Sequence, residues 1–210
     1  MLVALLLLLL VFIYIISRRQ DVSIRKNALS KSDCKRLIDV ANKYQFDTYS
    51  EPVDEEPVFQ VDIFMAGEIM NTELWEMCQK IQKKHMSHIK KPLSFVFLKR
   101  YKPDERTHLN IHFDISSYTS SFLLSDTNDF EGGDFYIFDK KKSRELDDVY
   151  MFSTVAKNKA LVDKFIENYH ELPKLNYEQG DMVSYNGSKH LHGILPVTKG
   201  SRYLLTFFFE

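Results

Sequence analysis

Apolar and polar positions alternate with a period of two along much of this chain. "VFQVDIF" (58–64) alternates in this way, and similar runs cover 93–101, 108–115, 117–125 and 133–138. A period of two is that of a strand with one buried face. The turn signals "KPDE", "SDTND" and "EGG" punctuate the later runs. The pattern resumes at 181–185, 190–197 and 202–209.

Two segments repeat their apolar residues at helical spacing instead. In 29–44 the stripe is Leu37, Ile38, Val40 and Ala41, with Ser30 or Ser32 as N-cap. In 71–89 it is Leu74, Trp75, Met77, Cys78, Ile81 and Met86, capped by Asn71 or Thr72. His85 and His88 lie one turn apart on that helix and read as surface or half-buried side chains. The acidic, proline-bracketed 50–57 reads as a loop. Residues 139–179 break the strand rhythm: a charged loop, then a helix over 154–172 stopped by Pro173. Short strands with helices ahead of them predict a mainly β domain, a sandwich or barrel with helices outside.

The first 16 residues hold no charge and are nearly all large aliphatics. They lack the basic start and small-residue cleavage site of a signal peptide. A helix apolar all round is a membrane element more often than a core one. We therefore predict a single transmembrane anchor over 1–17, a juxtamembrane linker over 18–29 and one domain over 30–210. The run falls short of the ~20 residues that span a bilayer, so Ser17 and snorkelling arginines must extend it. Arg18, Arg19, Arg25 and Lys26 follow it and no charged side chain precedes it. The positive-inside rule then favours a cytoplasmic domain.

Composition adds less. The 16 Phe and 11 Tyr favour pleated, half-buried surfaces and support a sheet-rich domain. With 28 basic and 29 acidic residues there is no electrostatic footprint for nucleic acid. Cys34 and Cys78 make no disulfide framework and read as buried free thiols.

Candidate chemistry sits at "THLNIHFDISSYT" (107–119). On a strand, His112 and Asp114 point to the same face. They form either two ligands of a divalent metal or a surface hydrogen-bonded pair. The second half of the chain favours the metal. "KHLHGILPVTKGSRYLLTFFF" (189–209) adds two histidines on another predicted strand, and Arg202 follows His192 by ten residues. Two histidines and one carboxylate with open positions are the facial triad of non-haem Fe(II) oxygenases. Arg202 lies among apolar residues, where a guanidinium needs an anionic partner from the protein or from a ligand.

Several stretches resemble the Fe(II)- and 2-oxoglutarate-dependent dioxygenases of the collagen prolyl and lysyl hydroxylase group. They are "RYKPDE" (100–105), "HFDISSYT" (112–119), "DFEGGDFYIFD" (129–139) and "HLHGILPVTKGSRY" (190–203), with looser matches at "VDIFM" (61–65) and Trp75. The resemblance implies a double-stranded β-helix, or jelly roll, with flanking helices. It implies His112, Asp114 and His192 as iron ligands. His190 is a rival to His192, but the spacings to Pro196 and Arg202 favour His192. It further implies Arg202 on the 5-carboxylate of 2-oxoglutarate, with Tyr101 reaching the same group or serving only in the core. Thr119 and Ser121 are expected to line the pocket, and Gly132 and Gly133 to make a turn at positive φ.

The cofactors implied are Fe(II), 2-oxoglutarate and, as reductant, ascorbate; O2 is the co-substrate. The activity implied is hydroxylation of a peptidyl lysine or proline, coupled to decarboxylation of 2-oxoglutarate to succinate. A small molecule or lipid is the alternative substrate, and a non-catalytic anchored binding fold is the alternative role. The family's known lysyl hydroxylases are luminal, so an internal membrane such as the endoplasmic reticulum is the expected location, with either side open. The 139–179 segment exceeds the family's usual connection and is expected to be a lid, a partner surface or decoration.

Overall fold

The computed structural model describes residues 22–152, 159–168 and 171–210. Its strands are β1 (Val22–Arg25), β2 (Gln60–Met65), β3 (Glu68–Ile69), β4 (Leu93–Tyr101), β5 (Leu109–His112) and β6 (Tyr118–Leu123). They continue as β7 (Phe130–Gly132), β8 (Phe135–Ile137), β9 (Met182–Tyr185), β10 (His192–Ile194), β11 (Val197–Gly200) and β12 (Arg202–Phe209). The described helices are α1 (Lys31–Ala41), α2 (Thr72–His85), α3 (Lys140–Tyr150) and α4 (Lys159–Asn168).

The alternation of each strand sorts its side chains between two cores. A major sheet runs β1-β9-β6-β12-β4-β2-β3, and a minor layer holds β5-β10-β8 and the pair β11-β7. On β12, Tyr203, Leu205, Phe207 and Phe209 face α1 and α2, where Leu37, Leu74 and Cys78 complete the largest core. Leu204 points the other way and packs with Tyr101, Leu123, Phe135, Ile194 and Val197, which join the two layers. The outer face of the minor sheet is covered in turn. Ile111, Tyr136, Phe138 and Leu191 pack there against Leu146, Phe152, Val162 and Phe165. The result is a mainly β jelly roll between two helical layers: the strand pattern predicts the layered β domain, and the family resemblance predicts the jelly roll.

Caps mark the helix starts. Ser30, Asn71 and Asp139 each accept a backbone N–H from three residues on, at 3.1, 3.0 and 2.9 Å. Asp139 opens α3, which the sequence reading takes as charged loop. Its sequence, KKKSRELDDVY, is dominated by charged residues, and only Ser143 and Leu146 are buried. The predicted 154–172 helix is seen as α4, with 153–158 and 169–170 outside the described residues. The long 190–197 run divides into β10 and β11 around Pro196. Residues 22–29, read as linker, belong to the domain: β1 pairs with β9, and Ala28 and Leu29 are buried. The predicted anchor, 1–17, lies outside the described residues. Among those described, no helix is long and apolar enough to cross a membrane.

Asp181 ties β1 to the sheet. Its carboxylate accepts the Asn27 N–H, the Glu178 N–H and the Lys26 ammonium, each at 2.8 Å. Burial alone would raise its pKa, but these donors outweigh burial and hold it below the usual carboxylate range. Its contribution to stability is therefore complete above the unfolded-state pKa and is lost as pH falls through the lowered folded value. Asp181→Asn is expected to cost roughly 1–3 kcal/mol in urea denaturation at neutral pH. That cost should shrink in acid, where the native carboxyl is itself protonated.

Candidate active site

The site grows from one register. β5 and β10 pair antiparallel with His112 opposite His192, and the two rings lie 4.3 Å apart. Both imidazoles are oriented from behind. His112 Nδ1 is 2.7 Å from the Asn110 carbonyl and His192 Nδ1 is 2.9 Å from the His190 carbonyl. A carbonyl only accepts, so each Nδ1 carries a proton and each ring turns its Nε2 inward. Both Nε2 atoms stand 3.3 Å from the same oxygen, Asp114 Oδ1.

Asp114 lies two residues past the end of β5. The strand stops at His112, and the Asp114 N–H donates to the Gly187 carbonyl at 3.1 Å. The carboxylate thus reaches the imidazoles from a turn, and not from the strand face that the H-x-D spacing suggests. Its second oxygen accepts from the Thr119 hydroxyl at 2.6 Å, and Ser116 Oγ lies 2.7 Å from Thr119 Oγ1. Gly187 closes the other side: a Cβ there would come within 2.5 Å of Asp114 Cβ and 2.8 Å of Thr119 Oγ1. Only glycine leaves this space.

The ligand atoms of His112, Asp114 and His192 lie within 4.8 Å of one another. Burial would raise the Asp114 pKa, but the His192 and His112 imidazoles overcome it and hold the carboxyl far below its usual range. Burial alone would lower His192, yet Asp114 outweighs it and raises the pKa. Tyr185, edge-on to His192 with centroids 4.9 Å apart, is pushed well above the usual phenol by burial and by the Asp114 charge. Two imidazole nitrogens and one carboxylate oxygen, converging and pre-oriented, suit a divalent iron that keeps open positions.

A cavity of about 860 Å³ opens from the triad. Tyr101, Tyr177, Tyr185 and Phe135 line it toward Arg202, and Phe95, Phe97 and Phe208 line another wall. Arg202 is 1% exposed and pairs in register with Tyr101. Its Nη2 donates to the Tyr177 hydroxyl, while its buried Nη1 has no partner. No carboxylate forms an ion pair with it among the described residues. Leaving a buried guanidinium nitrogen unmatched is costly, so the position beside Tyr101 and Tyr177 suits an anion. Gly133, at φ +68°, makes room for the side chain, since a Cβ there would lie 2.8 Å from Arg202 Cδ.

The structure therefore brings His112, Asp114 and His192 together, with Thr119 holding the carboxylate rather than facing a co-substrate. Tyr101 lines the cavity beside Arg202, and Ser121 lines it further along. His190 does not join the triad; its Nδ1 is 2.8 Å from the Phe138 carbonyl. Tyr177, Tyr185 and the buried Lys99–Glu51 pair in the cavity wall went unread in the sequence. The alternation of β4 and β9 puts Lys99 and Tyr185 on inward positions, but nothing local marks Tyr177 or Glu51.

No family model and no curated protein matches the chain. Solved structures do. A viral collagen prolyl hydroxylase from Paramecium bursaria Chlorella virus-1, in complex with 2-oxoglutarate, is 17% identical with a TM-score of 0.54 over 90% of this chain and 95% of that one. A prolyl hydroxylase from Trichoplax adhaerens, bound to a hypoxia-inducible factor peptide fragment, is 10% identical with a TM-score of 0.56 over 91% and 84%. The α-ketoglutarate-dependent carbocyclase SnoK of nogalamycin biosynthesis is 14% identical with a TM-score of 0.56 over 91% and 80%. The fold is that of the 2-oxoglutarate- and Fe(II)-dependent oxygenases.

Thr119 provides a test that leaves the ligand atoms intact. Thr119→Val removes the donor to Asp114 Oδ2 and is expected to weaken metal affinity roughly 10- to 100-fold. Thr119→Ser keeps the hydroxyl and should bind nearly as the parent. Anaerobic Fe(II) titration of the three proteins measures this.

Proposed function

We propose that this chain is an Fe(II)- and 2-oxoglutarate-dependent oxygenase that hydroxylates peptidyl proline or lysine and is tethered to a membrane by its N-terminal segment. One observation carries the catalytic reading. A converging His–Asp–His set lines a cavity together with Tyr101 and Tyr177, the two neighbours of Arg202, whose buried Nη1 has no partner. His112, Asp114 and His192 would hold the iron. Arg202, steadied by Tyr177 and flanked by Tyr101, would hold the far carboxylate of 2-oxoglutarate. Bound iron and co-substrate supply an oxidation in which O2 gives one atom to a C–H bond and one to succinate, with release of CO2.

The residues of this chain do the rest. The Asn110 and His190 carbonyls hold the Nδ1 protons and aim both Nε2 atoms at Asp114 Oδ1. Thr119 and Gly187 fix the carboxylate, so only Oδ1 faces the imidazoles. Phe95, Phe97 and Phe208, with centroids 5.0–6.3 Å apart, give the reacting region an apolar wall that excludes water. Ascorbate would restore iron oxidised in uncoupled turnovers.

The substrate class rests on the resemblance of motifs and on neighbours of the fold that include prolyl hydroxylases, one bound to a peptide. A small-molecule substrate is the second reading. SnoK shares the fold, and Lys99 with Glu51 offers a buried donor and acceptor that a compact polar substrate could engage.

Full-length protein reconstituted anaerobically with Fe(II), 2-oxoglutarate and ascorbate, then given O2, should form succinate. His112→Ala should abolish it. Arg202→Ala should raise the half-saturating 2-oxoglutarate concentration roughly 10- to 100-fold, the worth of a charge-assisted hydrogen bond. Peptides containing Pro or Lys should stimulate succinate formation and gain one oxygen by mass. No iron-dependent succinate with any peptide or small amine would leave the binding-fold reading in its place.

A further inference from the structure

One mouth of the cavity lies at an end of the major sheet, where Met65, Ala66, Pro92, Ile115 and Glu210 line it and are exposed; Tyr49 and Pro52 are exposed lining residues further along, near Gln60. Strand register shows what else lies at that end. Met65 pairs with Phe95, Phe95 with Phe208, Phe208 with Thr119, Thr119 with Tyr185, and Tyr185 with Val22. The chain before Val22 therefore joins the domain at the same end of the sheet as the mouth. That preceding chain includes the uncharged run 1–16 and the basic pair Arg18–Arg19.

The surface at this end is unusual for water. Ile115, directly after the candidate ligand Asp114, is 89% exposed, and Met65, Ile69 and Met70 on the β2–β3 hairpin are 43–52% exposed. Single exposed aliphatics are ordinary, but Met65 and Ile115 at the opening, with Ile69 and Met70 on the neighbouring sheet edge, mark a contact surface. Cations flank it. Lys90 and Lys91 run into Pro92, whose carbonyl accepts the Glu210 N–H. Lys189 is exposed on the 187–189 turn, which is joined to the rim by the Ser188 N–H to the Ser116 carbonyl. Glu68 and Glu210 are the exposed acids of the same end.

We propose that this end of the domain rests on an anionic lipid surface, so that the cavity mouth opens onto the membrane from which the substrate comes. The proposal rests on the membrane-tethered reading above. It adds an orientation that a tether alone does not impose. Apolar side chains ringed by lysine suit the boundary between headgroups and acyl chains. A tether joined at the opposite end would hold the mouth away from the bilayer.

Single cysteines at Ile115, Ile69 and, at the far end beyond β6, exposed Thr127 test it. Cys34 and Cys78 are fully buried and should stay unlabelled. Each full-length variant is labelled with a fluorophore and reconstituted with vesicles of equal parts phosphatidylcholine and phosphatidylserine, with and without nitroxide-headgroup lipid. Flotation first reports membrane attachment, and quenching then reports orientation. Severalfold stronger quenching at positions 115 and 69 than at 127 is expected. Flotation with equal quenching at all three positions, or stronger quenching at 127, would overturn the orientation and leave the tether standing. Failure to float would remove the tether and this proposal with it.

Discussion

The antiparallel register that sets His112 opposite His192 is the constraint on which the site depends. It fixes two ring centroids 4.3 Å apart before any side-chain preference acts. Backbone carbonyls two residues upstream then lock both rings, so the sheet itself determines ring orientation as well as position. A buried carboxylate between them would be costly alone, and two imidazoles and a threonine hydroxyl make it tolerable. One register shift would exchange the faces of β10 and put His192 on the outer side. Phe138, Leu191 and Tyr136 oppose such a shift, since they are packed under α3 and α4.

The helical layers matter to the site through that clamp. With both outer faces covered, inward positions are free to be polar: Thr119, Ser121, Lys99, Tyr101 and Arg202 all lie on strands of the major sheet. The 139–179 segment acts twice. Its helices brace the minor sheet, and its tail returns Tyr177 to Arg202. Its bulk covers the outer face of that sheet, with Phe152 reaching the cavity.

Period-two alternation made most of the strands legible, and the helices with broad apolar stripes were equally plain. α3 was not, because charged residues dominate its sequence and only two of its eleven residues are buried. The strand argument found His112 and Asp114 but attributed their meeting to a shared face, whereas a turn held by Gly187 brings them together. Arg202 was legible as a charge in an apolar run. Tyr177 was not, because its place is set by a return from a long segment, and no local pattern encodes that contact. Thr119 was assigned to the pocket, and only the three-dimensional path shows its hydroxyl on Asp114.

The cavity has a direction. Its inner wall carries Tyr101 and Tyr177, which stand beside Arg202, while its mouth is rimmed by Met65, Pro92 and Ile115. Along β4 the cavity wall changes from Phe95 and Phe97 near the mouth to Tyr101 beside Arg202, so one chamber offers an apolar stretch and a polar one. The rim contributes apolar contacts, and the buried Lys99–Glu51 pair contributes a polar one deeper along β4.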